Sequence, residues 1–172
     1  MDAESWYDDW KWAGDRAWRQ EQYDRYLVHE VLPFSGSRNP NPFLITTGAS
    51  FGAYHAVNFA LRHPRHVGRT IGMSGLYDIS RFARGHYDAN VFAHNPAHFV
   101  SELHDHNHLE ALRRMDIILC TGATDSFVEN NRYLSRVLWD KGVGNALRIW
   151  DGWAHDWPYW KQMIRTYIGG SD

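Results

Sequence analysis

The chain has 172 residues, 44% of them hydrophobic and 22% charged, which describes a single ordinary globular domain large enough to bury a core. A net charge of -2 removes the electrostatic case for nucleic acid or an anionic membrane as partner, and no apolar run reaches the ~20 residues that span a bilayer. One cysteine, Cys120, excludes an internal disulfide and reads as a small core residue.

The chain begins Met1-Asp2-Ala3-Glu4, acidic and without an apolar leader, so a cytoplasmic location is the default expectation. Trp6 to Trp18 is an aromatic and acidic leading segment. A helix is predicted over about 15–32, with Tyr23, Tyr26, Leu27 and Val31 on one face and Pro33 ending it. Asn39-Pro40-Asn41-Pro42 is a turn-rich bridge. Residues 43–47 are short, apolar and β-rich, and read as a buried strand. Gly48-Ala49-Ser50-Phe51-Gly52 follows, a G-x-S-x-G pentapeptide. Ala53, Val57, Ala60 and Leu61 then recur at helical spacing, until Arg62-His63-Pro64 closes the helix. A second strand is predicted at 67–73, closed by Ser74-Gly75. Residues 116–121 are continuously apolar and so fit a strand buried on both faces of a parallel sheet. A helix at 127–141 directs Tyr133, Leu134, Val137 and Leu138 inward. Residues 146–150 form a fourth strand, and Trp157, Trp160, Ile164 and Ile168 make the last helix amphipathic. This alternation predicts an α/β fold, a mostly parallel sheet flanked by helices. Residues 76–115, with short helical pieces and many histidines, read as an insertion over the carboxyl ends of the strands, where active sites of such sheets lie.

Strand, sharp turn and helix around Ser50 are the context of a nucleophile elbow. The turn strains the serine and projects its hydroxyl at the helix start. Gly48 and Gly52 are expected to be required because the two backbones pass too close for a Cβ. The amide of Phe51 then points at an oxyanion forming beside Ser50. A serine hydroxyl needs a base, and the base an orienting acid. Such hydrolases place them in the chain order serine, acid, histidine. Asp125 follows the third strand and His155 the fourth, which satisfies that order.

Each candidate has a plainer alternative. Asp125 could cap the helix near Phe127, and Asp78 could serve as the acid or cap 79–84. Asp151 sits too close to its strand to be oriented freely. His155, among Trp150, Trp153 and Trp157, could be a packed structural histidine. The nine tryptophans either fill a bulky core or line an apolar cleft. In the cleft reading, Trp153 and Trp157 are the substrate-binding candidates. His104, His106 and His108 alternate in a way that could ligate zinc, but capping by Asp105 or Asn107 of a helix at 109–115 accounts for the segment, and no metal is expected.

The segments Gly48-Ala49-Ser50-Phe51-Gly52-Ala53-Tyr54-His55-Ala56, Leu61-Arg62-His63-Pro64, Met73-Ser74-Gly75-Leu76-Tyr77-Asp78 and Trp150-Asp151-Gly152-Trp153-Ala154-His155-Asp156-Trp157 together resemble the putative-esterase group of α/β hydrolases. That group includes esterase D (S-formylglutathione hydrolase), enterochelin-esterase-like and feruloyl-esterase-like proteins. The resemblance implies nucleophile Ser50, base His155, acid Asp125 and an oxyanion amide from Phe51. It implies a small-molecule ester as substrate and no cofactor. It also implies several strands before the region matching Trp6-Tyr7, so the chain corresponds to the carboxyl-terminal two-thirds of such a hydrolase. The strand at 43–47 is then expected to be an open sheet edge that invites self-association. The resulting expectation is a serine carboxylesterase. Its rival is a non-catalytic binding or interaction domain, disabled by the missing front.

Overall fold

The structure, a computed structural model, describes residues 4–8 and 10–169. The Met1-Asp2-Ala3 start, on which the leader expectation rests, lies outside them. In chain order come α1 (Glu4–Tyr7), α2 (Ala13–Tyr26), a π-helical turn (Leu27–Val31), α3 (Leu32–Arg38), β1 (Ile45–Ala49) and α4 (Phe51–Arg62). After them come β2 (Arg69–Met73), α5 (Ser80–Ala83), α6 (Ala89–Ala93), α7 (Pro96–Ser101) and α8 (His106–Arg113). β3 (Asp116–Gly122), α9 (Val128–Asp140), β4 (Ala146–Trp150) and α10 (Trp157–Tyr167) complete the chain. The four strands pair in sequence order, and every pair is parallel.

β3 shows why the sheet holds. Its side chains alternate between two apolar layers, as the period of two requires. Ile117 and Leu119 face a core with Val57, Leu61, Leu134 and Leu138 from α4 and α9. Ile118 and Cys120 face a second core with Ile71, Met73, Met163 and Tyr167, under α10. A third cluster, Trp6, Ala17, Phe51, Tyr54, Ile79, Ala83 and Val91, joins α1 and α2 to the start of α4.

Several expectations are corrected. Pro33 does not end the helix. It sits in the first turn of α3, where a missing N–H costs nothing, after the π-helical turn has reset the register. Leu27, Val28 and Leu32 pack on the core there, while Tyr26 is exposed. β1 begins two residues later than predicted and is half-buried, because it is the outer strand of the four. Tyr133, Trp157 and Ile168 face outward; α10 instead buries Met163 and Tyr167. The tryptophans are mostly not core. Trp6 is fully buried, but Trp10, Trp12, Trp18, Trp139, Trp153 and Trp157 are exposed. Of residues 76–115, α5 packs by the start of α4, whereas α8 has descended to the other end, where His108 donates to the Leu61 carbonyl at 2.7 Å. Among the described residues, no helix is long and apolar enough to cross a membrane.

A polar strap binds α2 over α4. Glu21 Oε2 lies 3.1 Å from Arg62 Nη2 and 3.1 Å from His94 Nε2, and Asp24 Oδ2 meets His63 Nε2 at 2.8 Å. His94 Nδ1 lies 3.1 Å from Asn58 Nδ2, so a neutral ring can accept there and donate to Glu21. Burial, with the Arg62 cation beside it, pushes His94 down to about 4, against the pull of Asp24 and Glu21. Burial alone would raise Glu21, but hydrogen bonds from Arg25, His94 and Arg62 and the Arg62 charge hold it at about 2. In both cases the unfolded chain binds the extra proton, His94 from an ordinary 6.5 and Glu21 from 4.5. Stability is therefore full above the unfolded value of each group and falls as pH drops toward the folded one. The stability advantage of the wild type over His94→Gln should shrink as pH falls from 6.5 to 4, read by denaturant unfolding. A constant difference across that window would contradict the neutral, buried assignment.

Candidate active site

Ser50 occupies the turn between β1 and α4 with φ 54° and ψ −119°, a left-sided backbone conformation that a serine adopts only when its surroundings impose it. The constraint is visible. Ser50 N donates to the Met73 carbonyl at 2.8 Å, and the Ser50 carbonyl accepts from Ala53 N at 3.1 Å. A Cβ on Gly48 would lie 2.1 Å from the Gly52 carbonyl oxygen, so only glycine fits at the strand end. Gly52 is different: a Cβ there would meet nothing within 4 Å. The expectation that both glycines are sterically required is thus corrected. Gly52 offers its carbonyl to the close approach, while its own Cα faces open space.

The other two candidates arrive from neighbouring strand ends. Asp125 follows β3 and is 2% exposed. Its Oδ2 lies 3.0 Å from His155 Nδ1, and its Oδ1 accepts from Phe127 N at 2.9 Å. Asp125 does not cap α9, whose N-cap Phe127 has no side-chain cap; Oδ1 closes the turn ahead of the helix, and Oδ2 faces the imidazole. His155 Nε2 lies 3.1 Å from Ser50 Oγ. With Asp125 accepting from Nδ1–H, the Nε2 lone pair faces the serine hydroxyl. The amide of Phe51 donates to no acceptor among the described residues.

The loop carrying His155 crosses the end of β3, and Gly122 makes room for it. A Cβ on Gly122 would lie 2.1 Å from the Trp153 carbonyl oxygen. Ala123 N to Trp150 O at 2.8 Å and Thr124 N to Gly152 O at 2.9 Å tie this loop to the Asp125 turn. Ser74 adds a support that sequence reasoning passed over as a strand terminator. Its φ is 55°, and its hydroxyl lies 3.4 Å from the Ala154 carbonyl and 3.2 Å from Trp160 Nε1. A second serine at a strand end two residues before Leu76-Tyr77 carried no local signal of that role.

Aromatic rings surround the histidine. Trp153 stacks on it at 5.6 Å, Trp160 meets it edge-on at 5.3 Å, and Phe127 lies 5.7 Å away. Trp153 is 54% exposed, so its far face is open. Trp157, 65% exposed, touches Trp160 rather than His155 and stands one ring further out.

The competing assignments resolve differently. Asp78 Oδ1 accepts from Ser80 N and from Asn95 Nδ2, both at 2.9 Å, which fixes the start of α5, while His155 Nδ1 faces Asp125 instead. Asp105 caps α8 by accepting from His108 N at 2.8 Å. His104 and His106 are exposed, and among the described residues no three histidine, cysteine or acidic side chains converge as a metal site.

The fold is shared with solved structures. A ferulic acid esterase superposes with TM-score 0.69 at 22% identity, over 84% of this chain and 58% of that one. An S-formylglutathione hydrolase from Staphylococcus aureus gives 0.55 at 18% identity, over 73% and 49%. A fluorophosphonate-binding serine hydrolase of the same organism gives 0.56 at 17%, over 73% and 52%. The chain therefore spans about half the length of these structures. These likenesses establish an α/β-hydrolase fold, with the described strands as its parallel sheet. No curated protein matches the sequence. The family model described as "Putative esterase" matches residues 1–167, and the chain belongs to that family.

Proposed function

We propose that the protein is a serine carboxylic-ester hydrolase working through Ser50, His155 and Asp125. The observation that carries this reading is the continuous relay from Ser50 Oγ to His155 Nε2 at 3.1 Å and from His155 Nδ1 to Asp125 Oδ2 at 3.0 Å. His155 takes the Ser50 proton as Oγ attacks the ester carbonyl carbon, and Asp125 holds the ring in the required tautomer. The carbonyl oxygen becomes an oxyanion, for which the Phe51 amide is the donor at hand. The tetrahedral intermediate expels the alcohol, which leaves with the proton from His155, and an acyl-serine remains. Water then attacks, giving its proton to His155, and the carboxylic acid departs as Ser50 regains its proton. Trp153 supplies an apolar wall beside the histidine for the substrate, with Trp157 at the outer margin.

The test is covalent labelling with a fluorophosphonate, which reacts only with an activated serine. A single adduct on Ser50 by mass spectrometry is expected, absent in Ser50→Ala and strongly reduced in His155→Ala. An unlabelled, folded wild-type chain would favour the non-catalytic interaction domain instead.

A further inference from the structure

We infer that Arg81 is a specificity-determining residue that selects esters carrying a carboxylate, an inference that rests on the esterase reading above. α5 delivers this guanidinium to the rim of the triad through a closed circuit of contacts. Phe51, next to the nucleophile, lies 6.0 Å from Phe82. The Arg81 guanidinium carbon sits 4.7 Å over the Phe82 ring and 5.5 Å over the Phe127 ring. Phe127 in turn lies 5.7 Å from His155, which reaches back to Ser50. The cation thus stands over two rings, Phe127 beside His155 and Phe82 one ring removed from Ser50 through Phe51.

Its charge is uncommitted. Among the described residues, no carboxylate lies within ion-pair distance of Arg81, and two acids on the segments around it, Asp78 before α5 and Asp125 before Phe127, already hold other partners. Asp78 is held by Ser80 and Asn95, and Asp125 by His155 and Phe127. Arg81 is exposed, so an incoming anion can reach it without a conformational change. Its position is also fixed from below. Asp78 anchors the first turn of α5, Ile79 and Ala83 are buried on either side, and the two ring faces hold the guanidinium by cation–π attraction. Tyr7, whose ring meets Phe82 at 5.1 Å, feels this cation, which opposes the upward push of burial on its phenol. A planar guanidinium presents paired N–H donors that match a carboxylate, so an anionic group on either the acyl or the alcohol side of the ester is the chemistry recognised.

Two matched ester pairs separate the sides. On the alcohol side, 7-acetoxycoumarin is compared with its 3-carboxylate; on the acyl side, 4-nitrophenyl benzoate is compared with its 4-carboxylate. The quantity read is the anionic-to-neutral ratio of kcat/KM for wild type, Arg81→Gln and Arg81→Lys. At least one pair should lose about five- to tenfold in that ratio in Arg81→Gln, with partial retention in Arg81→Lys. The wild-type ratio should also fall as salt is raised from ~10 mM to ~500 mM. Ratios unchanged by Arg81→Gln in both pairs would overturn the inference while leaving the esterase reading intact. If the wild type hydrolyses none of the four esters, the esterase reading fails on its own. Arg81 is then read by quenching of tryptophan emission with 7-hydroxycoumarin-3-carboxylate against 7-hydroxycoumarin, and equal affinities in wild type and Arg81→Gln would sink it.

Discussion

Ser50→Ala and His155→Ala are each expected to lower kcat for ester hydrolysis by about four or more orders of magnitude, and Asp125→Asn by less than either. The ranking follows from what each atom does. On the proposed mechanism, removing Oγ deletes the group that attacks, and removing the imidazole leaves that group protonated. Asparagine at 125 keeps the size and can keep the bond to Phe127 N, but it replaces a charged acceptor facing Nδ1 with an amide. The double variant Ser50→Ala, His155→Ala should be no worse than either single one, because groups that act as a unit are not additive. Steady-state kinetics on one activated ester measures all four. Near-full activity in Ser50→Ala would end the assignment, and a double variant several orders below the singles would show that the two residues do not share one step.

Gly48→Ala should be far more damaging than Gly52→Ala, although the motif treats the two positions alike. At Gly48 the new methyl would sit 2.1 Å from the Gly52 carbonyl oxygen, a contact with rigid backbone on both sides. β1 and the first turn of α4 must then move apart, at a cost of about 3 kcal/mol. Any chain that still folds carries Ser50 Oγ displaced from His155, and a shift of ~1 Å there is worth about a hundredfold in kcat. Alanine at 52 has open space around its Cβ and sits inside a helix, where it is a better former than glycine. Thermal unfolding of the two variants side by side reads the difference. Equal melting temperatures would mean that the strand end relaxes around a Cβ, and the close approach would not be what fixes the elbow.

Much of this architecture was legible because its signals are local. The run at 116–121 reads as an interior strand from its apolar middle, and it is buried on both faces from Ile117 onward. Ser50, Asp125 and His155 come together because each sits just past a strand, and a parallel sheet puts all such positions at one end. What stayed hidden depends on non-local packing. The π-helical turn before Pro33 reflects how Leu27 and Leu32 are both drawn onto the core, which composition does not report. The outward turn of Tyr133 and Trp157 shows that helical phase is set by the best-fitting aliphatic stripe, not by the largest rings. Arg81 lies in a stretch of irregular short helices with no recognisable motif. Only the fold brings Phe82 and Phe127, 45 positions apart in the sequence, beneath the same guanidinium.

The two oxygens of Asp125 have a mechanical consequence. One closes the turn that leads into α9 through Phe127 N, and the other steers the imidazole. On the proposed mechanism, a single carboxylate thus ties the turn that leads into that helix to the aim of the base. Fraying of the first turn of α9 would swing the carboxylate and release the histidine, even with β1, Ser50 and the rest of the sheet undisturbed. Heating should therefore silence the chemistry ahead of global melting, at whatever temperature the start of α9 lets go, and amide exchange at Phe127 and Val128 would report the same event.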